Sequence, residues 1–147
     1  MIIEKHSFDE LHLENACVTI GSFDGVHIGH QFLMRHVTAE AKRQKNPSVA
    51  ITFDPLPSTF FSRPVTPHLI LLPEERKERI EKVGMDYLIT LPFTRRLADT
   101  SAASFINQMN SALRVHKLWV GENFSMGKDR QGSPDALRKL AENEGFE

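Results

Sequence analysis

Short apolar runs rich in β-branched residues alternate with longer stretches of helical pattern, and that alternation leaves few folds open. Ala16-Cys17-Val18-Thr19-Ile20 stops at Gly21 and reads as a buried strand. A helical pattern follows from about Ile28 to Lys45, with Phe32, Leu33, His36 and Val37 on one face, and Asn46-Pro47 ends it. Val49 to Phe53 is a second strand, and Asp54 to Pro67 holds four prolines, the mark of a rigid loop. Pro73 to Val83 is a charged helix with Pro at its start and Gly84 just past its end. Tyr87 to Leu91 is a third strand, Ser101 to Leu113 a helix, and Lys117 to Gly121 a fourth strand. Ser133-Pro134 opens a last helix that runs to the end of the chain. The order predicts an α/β fold: a Rossmann-like parallel sheet, its first strand central, joined by right-handed crossovers with helices on both faces.

Size and composition set the outer limits. A chain of 147 residues is one domain with room for a three-layer core. Its 18 basic and 19 acidic residues give a net charge of −1, so no positive field argues for a nucleic-acid partner. The single cysteine, Cys17, allows neither an internal disulfide nor a cysteine-based zinc site, and in its apolar run it reads as a small hydrophobe. The N-terminus offers no apolar stretch long enough for a signal peptide or a membrane span, so the expected location is cytoplasmic, with no membrane partner.

In parallel sheets ligands bind beyond the carboxyl ends of the strands, so the peptides that follow the strands matter most. After the first strand comes Gly21-Ser22-Phe23-Asp24-Gly25-Val26-His27-Ile28-Gly29-His30. After the second comes Asp54-Pro55-Leu56-Pro57, and after the fourth Glu122-Asn123-Phe124-Ser125-Met126-Gly127-Lys128. Glycines allow a tight turn and close approach to a ligand. The helix that begins after them aims free N–H groups and a positive dipole end at the same rim, which suits phosphate. His27 and His30, three apart, share a face of a helical first turn and could donate to a triphosphate. Two plainer roles stand beside this one. The histidines could bind zinc, with Asp24 as the only local third ligand, or they could be turn and cap residues. Neither the Walker nor the dinucleotide glycine pattern is present. His36 reads as a helix-surface or core residue, and His6, His12, His68 and His116 as structural.

Residues 21–31 closely resemble the G-x-F-D-G-V-H-x-G-H-Q signature of the bacterial bifunctional riboflavin kinase/FMN adenylyltransferase (FAD synthetase) family. Thr52 to Pro57 is similar to that family's T-F-x-P-x-P loop, Gly84-Met85-Asp86 with Leu91-Pro92-Phe93 to its G-x-D and L-P-F segments, and Gly121 to Gly127 to its G-E-[DN]-F-x-F-G motif. Ser104-Phe105-Ile106 matches a further segment loosely. The ordered set covers nearly the whole chain. Met126 departs from it, a thioether where the family usually has phenylalanine.

The resemblance implies transfer of AMP from ATP to FMN, giving FAD and pyrophosphate. It implies catalytic roles for His27, His30 and Asn123, and a nucleotide loop of Gly21, Ser22, Phe23, Asp24, Gly25, His27, Gly29 and His30. A flavin-side loop would comprise Asp54, Pro55, Pro57, Phe60, Phe124 and Met126, with Phe61 beside them. A hydrophobic plug is an equal reading for Phe60 and Phe61. Mg2+ would ride on the ATP phosphates with support from Asn123 rather than from a dedicated metal site. Lys128 and Arg130 could meet phosphate or remain solvated. The family continues with an S-S-T-x-I-R helix and a riboflavin kinase domain, and the sequence stops at Glu147 before either. The expectation is therefore one FMN adenylyltransferase domain over residues 1–147, incomplete at its C-terminus, with no kinase domain and at most a trace of activity. It would have an open sheet edge prone to self-association. Transfer to another phosphate acceptor, or nucleotide or flavin binding without turnover, are the alternative functions.

Overall fold

The computed structural model describes residues 2–23, 28–54, 73–121 and 132–147. The strands are β1 (Ile3–Lys5), β2 (Cys17–Ile20), β3 (Ser48–Phe53), β4 (Tyr87–Leu91) and β5 (Lys117–Trp119). The α-helices are α1 (Ile28–Gln44), α2 (Pro73–Val83), α3 (Arg95–Ala98), α4 (Ala102–Leu113) and α5 (Pro134–Glu144), and a 3-10 turn covers Phe8–Glu10. All pairings are parallel, in the order β1-β4-β3-β2-β5.

This order explains where the helices go. From β2 the chain steps outward through β3 to β4, then returns to the far side of β2 for β5. Right-handed crossovers that reverse direction must change face. Two cores result, one on each side of the sheet. Val18, Ile20, Val49, Ile51, Phe53, Ile89 and Leu91 pack with residues of α4 and α5. Cys17, Ala50 and Leu88 pack with Met34, Val37, Ala41 of α1 and Ile80 of α2. Strand alternation, period two, supplies both faces from the same short segments.

Several expectations are corrected. The sheet gains β1, whose three residues are too few and too polar to show as a strand in sequence. With β1 on the far edge the central strand is β3, and β2 is an inner strand beside it. The buried stripe of α1 is Met34, Val37, Thr38 and Ala41, while Phe32 is 66% exposed and stacks edge-on against exposed His36 at 4.6 Å. At about 100° per residue, position 32 lies roughly half a turn and position 33 roughly a quarter of a turn from the centre of the stripe that the i, i+3, i+4, i+7 rule selects from Met34. β5 stops at Trp119 rather than Gly121, and α5 stops at Glu144, where Gly145 takes a left-handed φ of 84°. Beyond that cap Phe146 is buried, and Glu147 exchanges backbone bonds with β5: its N–H donates to the His116 carbonyl (3.4 Å) and its carbonyl accepts from the Leu118 N–H (2.8 Å). The edge at β5 is thus partly met where it was expected to lie open.

Polar side chains fix the register where strands begin. The Asp86 carboxylate accepts from the Ser48 N–H (3.0 Å) and hydroxyl (3.2 Å), and the Asp86 N–H donates to Ser48 Oγ at 2.9 Å. The aspartate of the G-x-D segment therefore joins β3 to β4 at the amino ends of the strands. Ser101 and Ser133 cap α4 and α5 through their hydroxyls, as their sequence contexts predict. Among the described residues no helix is long and apolar enough to cross a membrane.

Cys17 is fully buried. Burial pushes its thiol pKa up, and the nearby Glu40 carboxylate adds to the rise against smaller opposite effects of Asn46 and Lys117. The native protein is therefore expected to react with a thiol reagent far more slowly than the urea-unfolded chain. Because the folded state holds this proton more tightly, its stabilising contribution is complete below the ordinary thiol pKa and declines as pH rises through the raised one. The loss of stability at alkaline pH should accordingly be shallower in Cys17→Ala, as measured by urea titration.

Candidate active site

β2 and β5 are neighbours followed by helices on opposite faces, α1 and α5, and the crevice beyond the carboxyl ends of such a pair is where open α/β sheets bind ligands. The ladder reaches Gly21, whose N–H donates to the Ile51 carbonyl at 3.0 Å. Ser22 is exposed, but its carbonyl accepts from the Thr52 hydroxyl (3.0 Å) and from Arg76 Nη1 (3.3 Å). Arg76, on α2 and only 3% exposed, sends Nη2 to the Phe53 carbonyl at 3.0 Å. One buried guanidinium thus ties together the ends of two neighbouring strands.

Phe23 comes next with φ of 51°, a left-handed backbone that a bulky side chain adopts only when its surroundings impose it. Its ring is buried under the turn, and a Cβ at Gly21 would lie 2.9 Å from it. Gly21 is therefore required by the close approach of Phe23. The same ring meets the His30 imidazole edge-on, with centroids 5.4 Å apart and planes at 89°. His30 stands in the first turn of α1, half-buried, its Nδ1 enclosed, next to exposed Gly29. The positive end of a 17-residue helix therefore opens on this rim. At the end of β3, exposed Asp54 is fixed by its N–H to the Leu91 carbonyl at 3.0 Å.

Gly21, Ser22, Phe23, Gly29, His30 and Asp54 thus come to one rim of the sheet. Asp24, Gly25, His27, Pro55, Pro57, Phe60, Phe61, His68, Asn123, Phe124, Met126, Lys128 and Arg130 lie outside the described residues. The other described histidines are elsewhere: His6 Nδ1 is 3.3 Å from the Thr90 carbonyl, His116 Nε2 is 3.7 Å from Glu40, and His12 is exposed. Phe93 of the L-P-F segment packs edge-on against Phe53 at 5.6 Å. Sequence reasoning passed over Arg76 and the role of Thr52. Arg76 sits in Pro73-Glu-Glu-Arg-Lys-Glu-Arg-Ile80, where three basic residues look alike. Its one distinguishing signal is that it lies four residues before buried Ile80, on the inner stripe.

The model of the FAD synthetase family matches residues 9–147. The chain belongs to the FAD synthetase family. It is 32% identical over 143 residues to the bifunctional riboflavin kinase/FMN adenylyltransferase of Escherichia coli K12, covering 97% of this chain and 46% of that protein. It is 35% identical over 126 residues to the FAD synthetase of Listeria monocytogenes, covering 85% and 51%. Among solved structures, a Streptococcus pneumoniae protein described as a macrolide-efflux protein superposes with a TM-score of 0.81 at 26% identity, over 95% of this chain and 55% of that one. The chain spans about half the length of the curated relatives it matches. In the Gly21-Ser22-Phe23 segment the glycine, the carbonyl and the ring are thus each fixed by a separate contact.

Gly21→Ala should cost about 1–3 kcal/mol, the usual range for overpacking a filled site. The buried Phe23 ring has little room to yield. Urea unfolding measures the cost, and an unchanged midpoint would show that the turn relaxes freely.

Proposed function

We propose that this chain is an FMN adenylyltransferase module, transferring AMP from ATP to FMN. The observation that carries the reading is the position of the Gly21-Ser22-Phe23 turn and His30 at the switch-point rim, in a chain matched by the FAD synthetase family from residue 9 onward. An oxygen of the FMN phosphate attacks the α-phosphorus of ATP in line. The new O–P bond forms as the bond to the β-phosphate oxygen breaks, and pyrophosphate departs with the electron pair. The protein has little covalent work in such a transfer, so alignment and charge stabilisation account for the rate.

His30, with His27 three residues before it, would donate to phosphate oxygens as charge grows there, helped by the amides at the start of α1. Phe23, Asp24 and Gly25 would shape the nucleotide side. Asp54, Pro55, Pro57, Phe60, Phe124 and Met126 would form the flavin side, and Asn123 would steady the pyrophosphate. The exposed Asp54 carboxylate is the kind of hard oxygen donor that Mg2+ accepts, so the rim suits a cation carried on the nucleotide, with Asn123 as a second support. Bound there, Mg2+ would neutralise charge on the phosphate oxygens. A cytoplasmic location, where both nucleotides are available, accords with this function.

Incubation with FMN, ATP and Mg2+ should give FAD by chromatography, and chelation of the cation should stop it. His30→Ala should lower turnover by roughly ten- to a thousand-fold while ATP affinity by calorimetry changes less, because hydrogen bonds that strengthen in the transition state are lost. ATP binding without FAD formation would reduce the reading to nucleotide binding. An unchanged rate in His30→Ala would remove that imidazole from the chemistry.

A further inference from the structure

We propose that Arg76 is a positioning residue for His30, acting through the Ser22 carbonyl and the Phe23 ring. The contacts run in one line. Nη2 of Arg76 holds the Phe53 carbonyl at 3.0 Å, and Nη1 holds the Ser22 carbonyl at 3.3 Å, which also accepts from Thr52 at 3.0 Å. Fixing that carbonyl fixes the peptide plane between Ser22 and Phe23, and so constrains the backbone of Phe23 at φ 51°. The left-handed backbone sends the Phe23 ring beneath Gly21, where its edge-to-face contact with His30 sets the imidazole's orientation.

The choice of arginine follows from geometry. Two carbonyls from different strands need two donors in a rigid fork, which a guanidinium supplies and an ammonium does not. A residue 3% exposed cannot reach substrate itself, so its influence must pass through the groups it holds. Active-site geometry tolerates little looseness: a displacement near 1 Å can lower a rate about a hundred-fold.

The kinetic part of this inference rests on the proposed adenylyl transfer; the structural part does not. Two variants, Arg76→Met and Arg76→Lys, separate them. The NMR signals of the His30 ring protons carry the ring-current shift of Phe23. In folded Arg76→Met they should move toward the values of an unstacked imidazole, with Arg76→Lys in between. In the FAD assay, kcat should fall roughly ten- to a hundred-fold while KM for ATP changes much less, and lysine should restore part of kcat. A His30 signal that stays in place in folded Arg76→Met would overturn the proposal. So would equal kinetics in the methionine and lysine variants. Should the wild-type chain form no FAD, the NMR comparison alone decides, and the failure belongs to the functional reading. Should Arg76→Met not fold, Thr52→Val removes the other donor to the same carbonyl with little change of shape, and the same shift of His30 is expected or the proposal fails.

Discussion

Much of the rim depends on one acceptor, the carbonyl oxygen of Ser22, held by a hydroxyl from β3 and a guanidinium from α2. A backbone carbonyl at the edge of a packed core needs a hydrogen-bond partner, and here it has two from different elements. That arrangement joins the first βα turn to its neighbouring strand and to the helix that follows β3. It also lets a phenylalanine occupy a conformation it would otherwise avoid. The strain at Phe23 is sustained by the filled space beneath Gly21 and by the fixed peptide before it, so the turn is over-determined rather than merely allowed.

The sheet topology places this segment at the carboxyl rim of β2, next to β5. β2 and β5 lie side by side while the helices that follow them, α1 and α5, pack on opposite faces, the arrangement at which open α/β sheets bind ligands. The two cores on either side are built from the same strands, so the rim stands on packed hydrophobic residues on both faces. The polar contacts divide by end. Asp86 and Ser48 fix register at the amino ends, far from the crevice, whereas Arg76 and Thr52 act at the carboxyl ends.

The strands of the sheet interior were legible because each is a short β-branched run closed by Gly, Asp or Pro, and β4 and α2 fall where the pattern puts them. β1 was not, because an edge strand of three residues buries too little to impose a pattern. The buried face of α1 was misread since Phe32 is large and apolar yet points outward, and size does not fix azimuth on a helix. At the site, glycines and histidines announced themselves by spacing. Arg76 did not, because its importance comes from two carbonyls remote in sequence, and a backbone carbonyl carries no residue-specific signal. The aspartate of the G-x-D segment was noticed for its pattern, yet its observed bonds are to Ser48, at the other end of the sheet from the crevice.

β3 carries polar side-chain contacts at both ends, at Ser48 and at Thr52–Phe53, and it lies at the middle of the sheet. A segment so held can open to solvent only when both ends release and both neighbouring strands part from it. Its amides should thus belong to the last set to exchange with deuterated solvent, approaching the global unfolding free energy, while β1 at the outer edge exchanges first.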